Sequence, residues 1–74
     1  MYGFRGQATT GEYINRKGYK THSSMRRGVK KFLSARGIIL TRWYEFRIAS
    51  DGFHLVAKSN WELTPNDLSG AIDN

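Results

Sequence analysis

A short unit, Tyr-x-Phe-Arg, stands at Tyr2-Phe4-Arg5 and again at Tyr44-Phe46-Arg47, and this doubling constrains the 74-residue chain more than anything else in it. Each copy is followed by the same kinds of residue. A glycine comes first (Gly11, Gly52), then an apolar residue (Ile14, Leu55), an aromatic (Tyr19, Trp61) and a second glycine (Gly28, Gly70). Self-similarity on this scale reads as one supersecondary unit used twice. It divides a single domain into an internal repeat, 1–36 and 43–74. A chain this short is near the lower limit for one self-sufficient core. With no cysteine it has neither a disulfide nor a thiolate metal site.

The elements follow from local chemistry. Tyr2 to Ala8 alternates weakly, Thr9-Thr10-Gly11 reads as a turn, and Glu12 to Arg16 returns as a short strand around Tyr13 and Ile14. Asn15-Arg16-Lys17-Gly18 marks the exit loop. A helix then begins at a Thr21 or Ser23 cap, with Met25, Val29, Phe32 and Leu33 on one arc, and stops at Gly37-Ile38. Gly28 costs roughly 1 kcal/mol relative to alanine inside a helix, which points to close approach of a sheet there.

Farther along, Ile38, Leu40, Tyr44, Phe46 and Ile48 alternate with Thr41, Trp43, Glu45 and Arg47. The first set is expected inward, with Trp61 and Leu63 continuing it. Asp51-Gly52 supplies a hairpin turn. Folding about it pairs Ile48 with Leu55, Phe46 with Ala57 and Glu45 with Lys58. Thr64-Pro65-Asn66-Asp67 has the capping threonine, proline and acid of a helix start, and Leu68, Ala71 and Ile72 carry a last helix from Pro65 to about Ile72. The expected class is α+β: two ββα units in the order ββαββα, an antiparallel sheet with helices packed on one face.

On these residues the chain resembles the YegP-like family, small proteins built from tandem ββα repeats. The matching stretches are Tyr2–Val29, with Gly18-Tyr19-Lys20-Thr21 and Gly28-Val29, and Tyr44–Ile72, with Asp51-Gly52 and Asn60-Trp61. The resemblance implies the fold and a tendency to dimerise through shared sheets. It implies no activity and no site residues.

Charge separates the two halves. Residues 1–43 carry ten Lys/Arg against Glu12 alone, a net +9, whereas residues 44–74 carry a net −3. The first half therefore suits an anionic partner. Arg26, Arg27, Lys30 and Lys31 form a basic arc on the expected helix, and Arg16, Lys17 and Lys20 lie just before it. Cations this dense neutralise several phosphates and release their counterions, although an ordinary solvated helix face carries the same residues. Trp43, expected on the outward sheet face near Arg47, is placed either to stack on a base or to cover a hydrophobic edge or dimer seam.

Catalytic patterns are missing. His22 and His54 read as solvated polar residues, and Ser23-Ser24 beside His22 has no third group to orient an imidazole. The six acids are dispersed, no metal-ligand spacing is recognisable, and the eight glycines form no phosphate-cradling fingerprint. The expectation is a non-enzymatic binding protein without cofactor or metal, taking DNA or RNA through phosphate contacts without sequence specificity. The alternative is a phage- or mobile-element-type protein that docks on an acidic host protein, since Arg, Tyr and Trp dominate interface hot spots. A membrane partner is disfavoured, because the helix's apolar face looks committed to the core. The longest aliphatic run, Ile38-Ile39-Leu40, is far too short to span a bilayer, and the N-terminus carries no apolar signal segment. A cytoplasmic domain, monomeric or homodimeric, is expected.

Overall fold

A computed structural model describes residues 1–59 and 62–68. Four strands form one antiparallel sheet in the order β2-β1-β3-β4, built from β1 (Tyr2–Ala8), β2 (Tyr13–Tyr19), β3 (Leu40–Ala49) and β4 (Gly52–Ser59). One helix, α1 (His22–Arg36), lies between β2 and β3 in the chain. Because β1 is antiparallel to both β2 and β3, those two run parallel to each other with β1 between them. Their connection must cross the sheet, and α1 makes that crossing. A single crossover covers a single face. The opposite face of the sheet has no layer over it among the described residues.

The helix is specified locally at both ends. Thr21 is its N-cap: the Thr21 side chain accepts from the Ser24 backbone N–H at 3.0 Å, and the Ser24 hydroxyl accepts from the Thr21 N–H at 3.2 Å. At the other end Gly37 adopts φ +63°, and the Ile38 N–H reaches back to the Leu33 carbonyl at 3.0 Å. Met25, Val29 and Leu33 are fully buried against the sheet, each burial stabilising by about 1.5–3 kcal/mol. Gly28 has the close approach its position implies: a Cβ there would stand 2.7 Å from the Tyr19 ring of β2.

The core between α1 and the sheet contains Phe4, Ala8, Ile14, Met25, Val29, Leu33 and Leu40. Leu63 and Leu68 close one end. Leu63 exchanges two backbone hydrogen bonds with Leu40, and Leu68 ends a single 3-10 turn, Pro65–Leu68. The Asp67 carboxylate caps that turn, accepting from the Thr64 N–H at 2.9 Å. The cap is where the sequence places it, and over Pro65–Leu68 it opens a 3-10 turn where an α-helix is expected. The expected continuation to Ile72 lies outside the described residues. So do Asn60 and Trp61, and residues 69–74 as a whole, which include the end of the second expected ββα unit. The observed order is ββαββ followed by this turn.

Three one-residue irregularities set which side chains share a face. The first falls in β2, where Tyr2 opposes Tyr19 but Gly3 opposes Lys17. Gly18 is the extra residue, at φ +91°, and the strand continues through the expected exit loop to Tyr19. The second falls in β3, where Gln7 opposes Arg42 and Ala8 opposes Leu40, leaving Thr41 extra. Leu40 faces the helix, so the alternation inverts past Thr41. Trp43, Glu45 and Arg47 lie on the helix side, while Tyr44, Phe46 and Ile48 face away. This reverses the expected inward set at Tyr44, Phe46 and Ile48, because a period-2 pattern changes face whenever one residue is inserted. Ile38, Leu40 and Leu63 keep to the core side. The third falls in β4, where Glu45 opposes Ala57 and Phe46 opposes Leu55, leaving Val56 extra.

The second hairpin also turns one residue earlier than expected, on Ser50-Asp51, with Ala49 opposite Gly52. Ile48 therefore pairs with Phe53, Phe46 with Leu55, and Lys58 with Tyr44. The expected Glu45–Lys58 pair does not form.

Candidate nucleic-acid interface

The nine residues singled out in the sequence lie at several places with different partners. Arg26 serves the fold. Its Nε donates to Glu45 Oε2 at 2.9 Å and its Nη2 to Glu45 Oε1 at 3.0 Å. The same carboxylate is 3.1 Å from His22 Nε2. Glu45 and His22 are both buried, so His22 is a core residue rather than the solvated histidine its neighbours imply. A bidentate arginine is the strong way to hold a buried carboxylate, and here it ties the first turn of α1 to β3. This link exists because the Thr41 bulge turns Glu45 toward the helix.

Arg16 is also engaged. Its guanidinium and that of Arg36 each lie 4.6 Å from the centroid of the Phe32 ring, covering the exposed side of that half-buried aromatic. Lys20, Arg27 and Lys31 are exposed on the helix side of the molecule, and Lys30 is half-buried. Arg47 lies on the helix side of β3, and its charge acts on the Asp51 carboxylate.

Trp43 does not project outward. It stacks on Phe4, with ring centroids 5.8 Å apart, and packs against the core under the helix layer. Its Nε1 is buried and meets no acceptor among the described residues. The bulge at Thr41 is again the cause.

The open face of the sheet has a different character. Arg5 on β1 is held by neutral groups: its Nε donates to Asn15 Oδ1 at 3.3 Å, its Nη1 donates to the Tyr44 hydroxyl at 3.1 Å, and its guanidinium lies 5.4 Å from the Phe46 ring centroid. Arg42 on β3 donates through Nε and Nη2 to Gln7 Oε1, at 3.1 and 2.8 Å. Gln7 is itself oriented by donating to the Gly11 carbonyl at 3.4 Å. Both arginines are therefore positioned, and neither meets a carboxylate among the described residues. Lys58 on β4 lines the same face, and Lys17, opposite Gly3, shares it at the β2 edge.

Aromatic rings lie between these cations. Tyr13 on β2 is 73% exposed and Phe53 on β4 is 56% exposed. Between them Tyr44 and Phe46 are tilted together at 5.9 Å, and Phe46 stacks with Phe53 at 5.1 Å. Phe46 reaches 1% exposure without a covering layer, because Gly3 opposite it leaves room for the ring. A Cβ on Gly3 would fall 2.2 Å from Phe46 Cζ. The surface is concave, a cleft of about 630 Å³ whose lining includes Arg5, Gln7, Tyr13, Asn15, Arg42, Tyr44, Phe53, Leu55 and Lys58. No acid lines it.

Arg5, Arg42 and Lys58 were legible in the sequence as charges, but nothing there assembles them. They converge through the strand order and the two bulges of β3 and β4. His54 is not part of this surface: it stands opposite Arg47, and its Nε2 is 2.9 Å from Asp51 Oδ1 at the hairpin tip. Among the described residues no three His, Asp or Glu side chains converge in a way that could hold a metal ion, and no helix is long and apolar enough to cross a membrane.

No protein-family model matches this chain, and comparison with curated proteins and with solved structures gives no match.

Proposed function

We propose that this protein is a non-enzymatic polynucleotide-binding protein that takes DNA or RNA on the open face of its sheet, through phosphate contacts without sequence specificity. The observation that carries the reading is that, among the described residues, Arg5 and Arg42 are held in place by neutral acceptors only. A positioned guanidinium with its charge uncompensated is prepared for a phosphate, which it meets with two parallel N–H donors. Arg26, by contrast, is neutralised by Glu45. Lys17 and Lys58 extend the positive surface to both edges of the sheet, and the exposed helix cations Arg27 and Lys31 add to the long-range attraction.

Fluorescence polarisation with unrelated DNA and RNA oligomers tests the reading. Contact with about four phosphates gives a slope of log affinity on log salt near −3 for a single strand. Absence of binding at about 50 mM salt, where phosphate contacts are strongest, rejects it.

A second reading is favoured by one specific observation. Ile48, Phe53 and Leu55 are all about half exposed and adjacent on one half of the same face. Exposed apolar groups beside arginine suit an acidic protein partner. That reading gains if a stoichiometric protein is retained from nuclease-treated lysate and competes with oligomers for the face.

A further inference from the structure

The open sheet face has a floor of rings as well as a set of cations, and the rings discriminate between forms of nucleic acid. We infer that the cleft takes a single strand, with bases stacked on Tyr13 and Phe53 and phosphates carried by Arg5 and Arg42. This rests on the polynucleotide reading and deepens it. A duplex presents phosphates outward and keeps its base faces inside, so laying one on this surface would set exposed rings against a charged backbone with nothing to stack on. A single strand presents both chemistries at once: unstacked base faces for the aromatics and a flexible anionic backbone for the cations.

The layout of the cleft agrees with that occupant. Tyr13 and Phe53 stand on opposite edge strands, with β1 and β3 between them. Tyr13 is level with Gln7 and Arg42, while Phe53 is opposite Ile48. The rings therefore stand diagonally across the face, roughly 14 Å apart across the strands and roughly 20 Å along them. That is a span of several nucleotides, along which Arg5 lies between two stacking positions. Both rings are more than half exposed, so a base reaches them without rearrangement of the core. Arg5 lies between them, its guanidinium fixed by the Tyr44 hydroxyl at 3.1 Å and by Asn15 at 3.3 Å. A second copy of this chain fits the face less well, since it would bring the same uncompensated arginines against Arg5 and Arg42. Like charges brought together across an interface oppose association.

The test compares short oligothymidylate, oligouridylate and a mixed-sequence duplex of equal phosphate number at about 50 mM salt. Tyr13→Ala and Phe53→Ala are measured alongside the unaltered protein, with far-ultraviolet circular dichroism and thermal unfolding to establish that each variant is folded. Either single strand is expected to bind about tenfold or more tighter than duplex, and each ring removal to weaken single-strand binding by a factor of roughly 5 to 150. Preference for the ribose or the deoxyribose strand identifies the natural form, and tight binding of either one supports the inference. Three results overturn it while leaving polynucleotide binding standing. These are duplex binding as tight as single-strand binding, folded ring variants that bind unchanged, or loss of binding in an Arg27→Gln/Lys31→Gln variant but in neither ring variant. Failure to bind any of the three ligands overturns the proposed function together with the inference.

Discussion

Phe4 and Phe46 occupy the same place in the two copies of Tyr-x-Phe-Arg and are almost equally buried, at 0% and 1% exposure, yet they point to opposite faces of the sheet. Phe4 lies under α1, stacked with Trp43 in the main core. Phe46 lies on the open face, packed by Phe53, Tyr44 and Arg5 over the space left by Gly3. The arginines that follow exchange sides as well. Arg5 enters the aromatic cleft, and Arg47 lies on the helix side near the acidic hairpin tip. Each copy of the unit is therefore split between the two faces: Phe4 and Arg47 lie on the helix side, and Phe46 and Arg5 build the candidate site. Shared sequence did not impose a shared environment, because a bulge at Thr41 precedes the second copy.

This contrast can be broken by mutation, most severely on the helix side. Phe4→Ala is expected to destabilise by about 3–5 kcal/mol, since the cavity it leaves is enclosed by α1. Phe46→Ala should cost less, at or near the lower end of that range, because the open face can collapse around Phe53. Guanidinium denaturation of the two variants gives the difference directly. An equal loss would mean that both faces are packed alike. Phe46→Ala should in addition weaken polynucleotide binding, because it removes the ring beneath Arg5, whereas Phe4→Ala should not if the protein remains folded.

Glu45→Ala tests the other consequence of the inverted alternation. Removing the carboxylate leaves Arg26 and His22 without their buried partner, a change that typically costs roughly 3–5 kcal/mol. Were Glu45 an outward residue paired with Lys58, the same substitution would cost at most about 1 kcal/mol. The same geometry bears on the helix cations. Arg26→Gln is expected to lower stability, whereas Arg27→Gln and Lys31→Gln should leave it nearly unchanged, as read by thermal unfolding.

Gly3→Ala acts on the open face alone. A methyl group there meets the Phe46 ring well inside contact distance, and overpacking of this kind costs about 1–3 kcal/mol. The ring must tilt out of its seat, so oligomer affinity should fall along with stability. A silent result would place Phe46 elsewhere.

The smallest expected effect is at the hairpin tip, on acidification. The His54 side chain hydrogen-bonds the Asp51 carboxyl and holds its pKa below the ordinary aspartate range, helped by a backbone N–H and the charge of Arg47. A carboxyl with a depressed native pKa adds stability above its unfolded value and loses it as pH falls through the native one. Thermal unfolding followed from pH 5 downward should therefore decline slightly more steeply in the unaltered protein than in Asp51→Asn. The binding face should not register the change, since Asp51 lies outside the cleft.

How much of this was readable in advance depends on the range of the interaction responsible. Gly28 was legible because a glycine inside a helix implies a close neighbour, which is Tyr19 of β2. Thr21, Gly37 and the Thr64–Asp67 cap were legible because each acts within a few residues of chain. The basic bias of the first half was legible for the same reason. The faces of β3 and β4 were not. Thr41 and Val56 carry no glycine or proline to mark a bulge, and whether a residue is skipped in pairing depends on the strand opposite. The candidate site inherits that ambiguity: Arg26 on α1 is bound to Glu45, Trp43 packs under the helix, and Arg5, Arg42 and Tyr13 stand on the open face instead.

The sequence alone thus determined the strands, the helix with its caps, and a cationic character suited to an anionic partner. The tertiary structure decided which side chains those elements present and where. The crossover of α1 covers only one face, and single-residue insertions in the strand pairing reverse every side chain beyond them. Period-2 alternation is a local property, but its phase is set by a neighbouring strand far away in the chain.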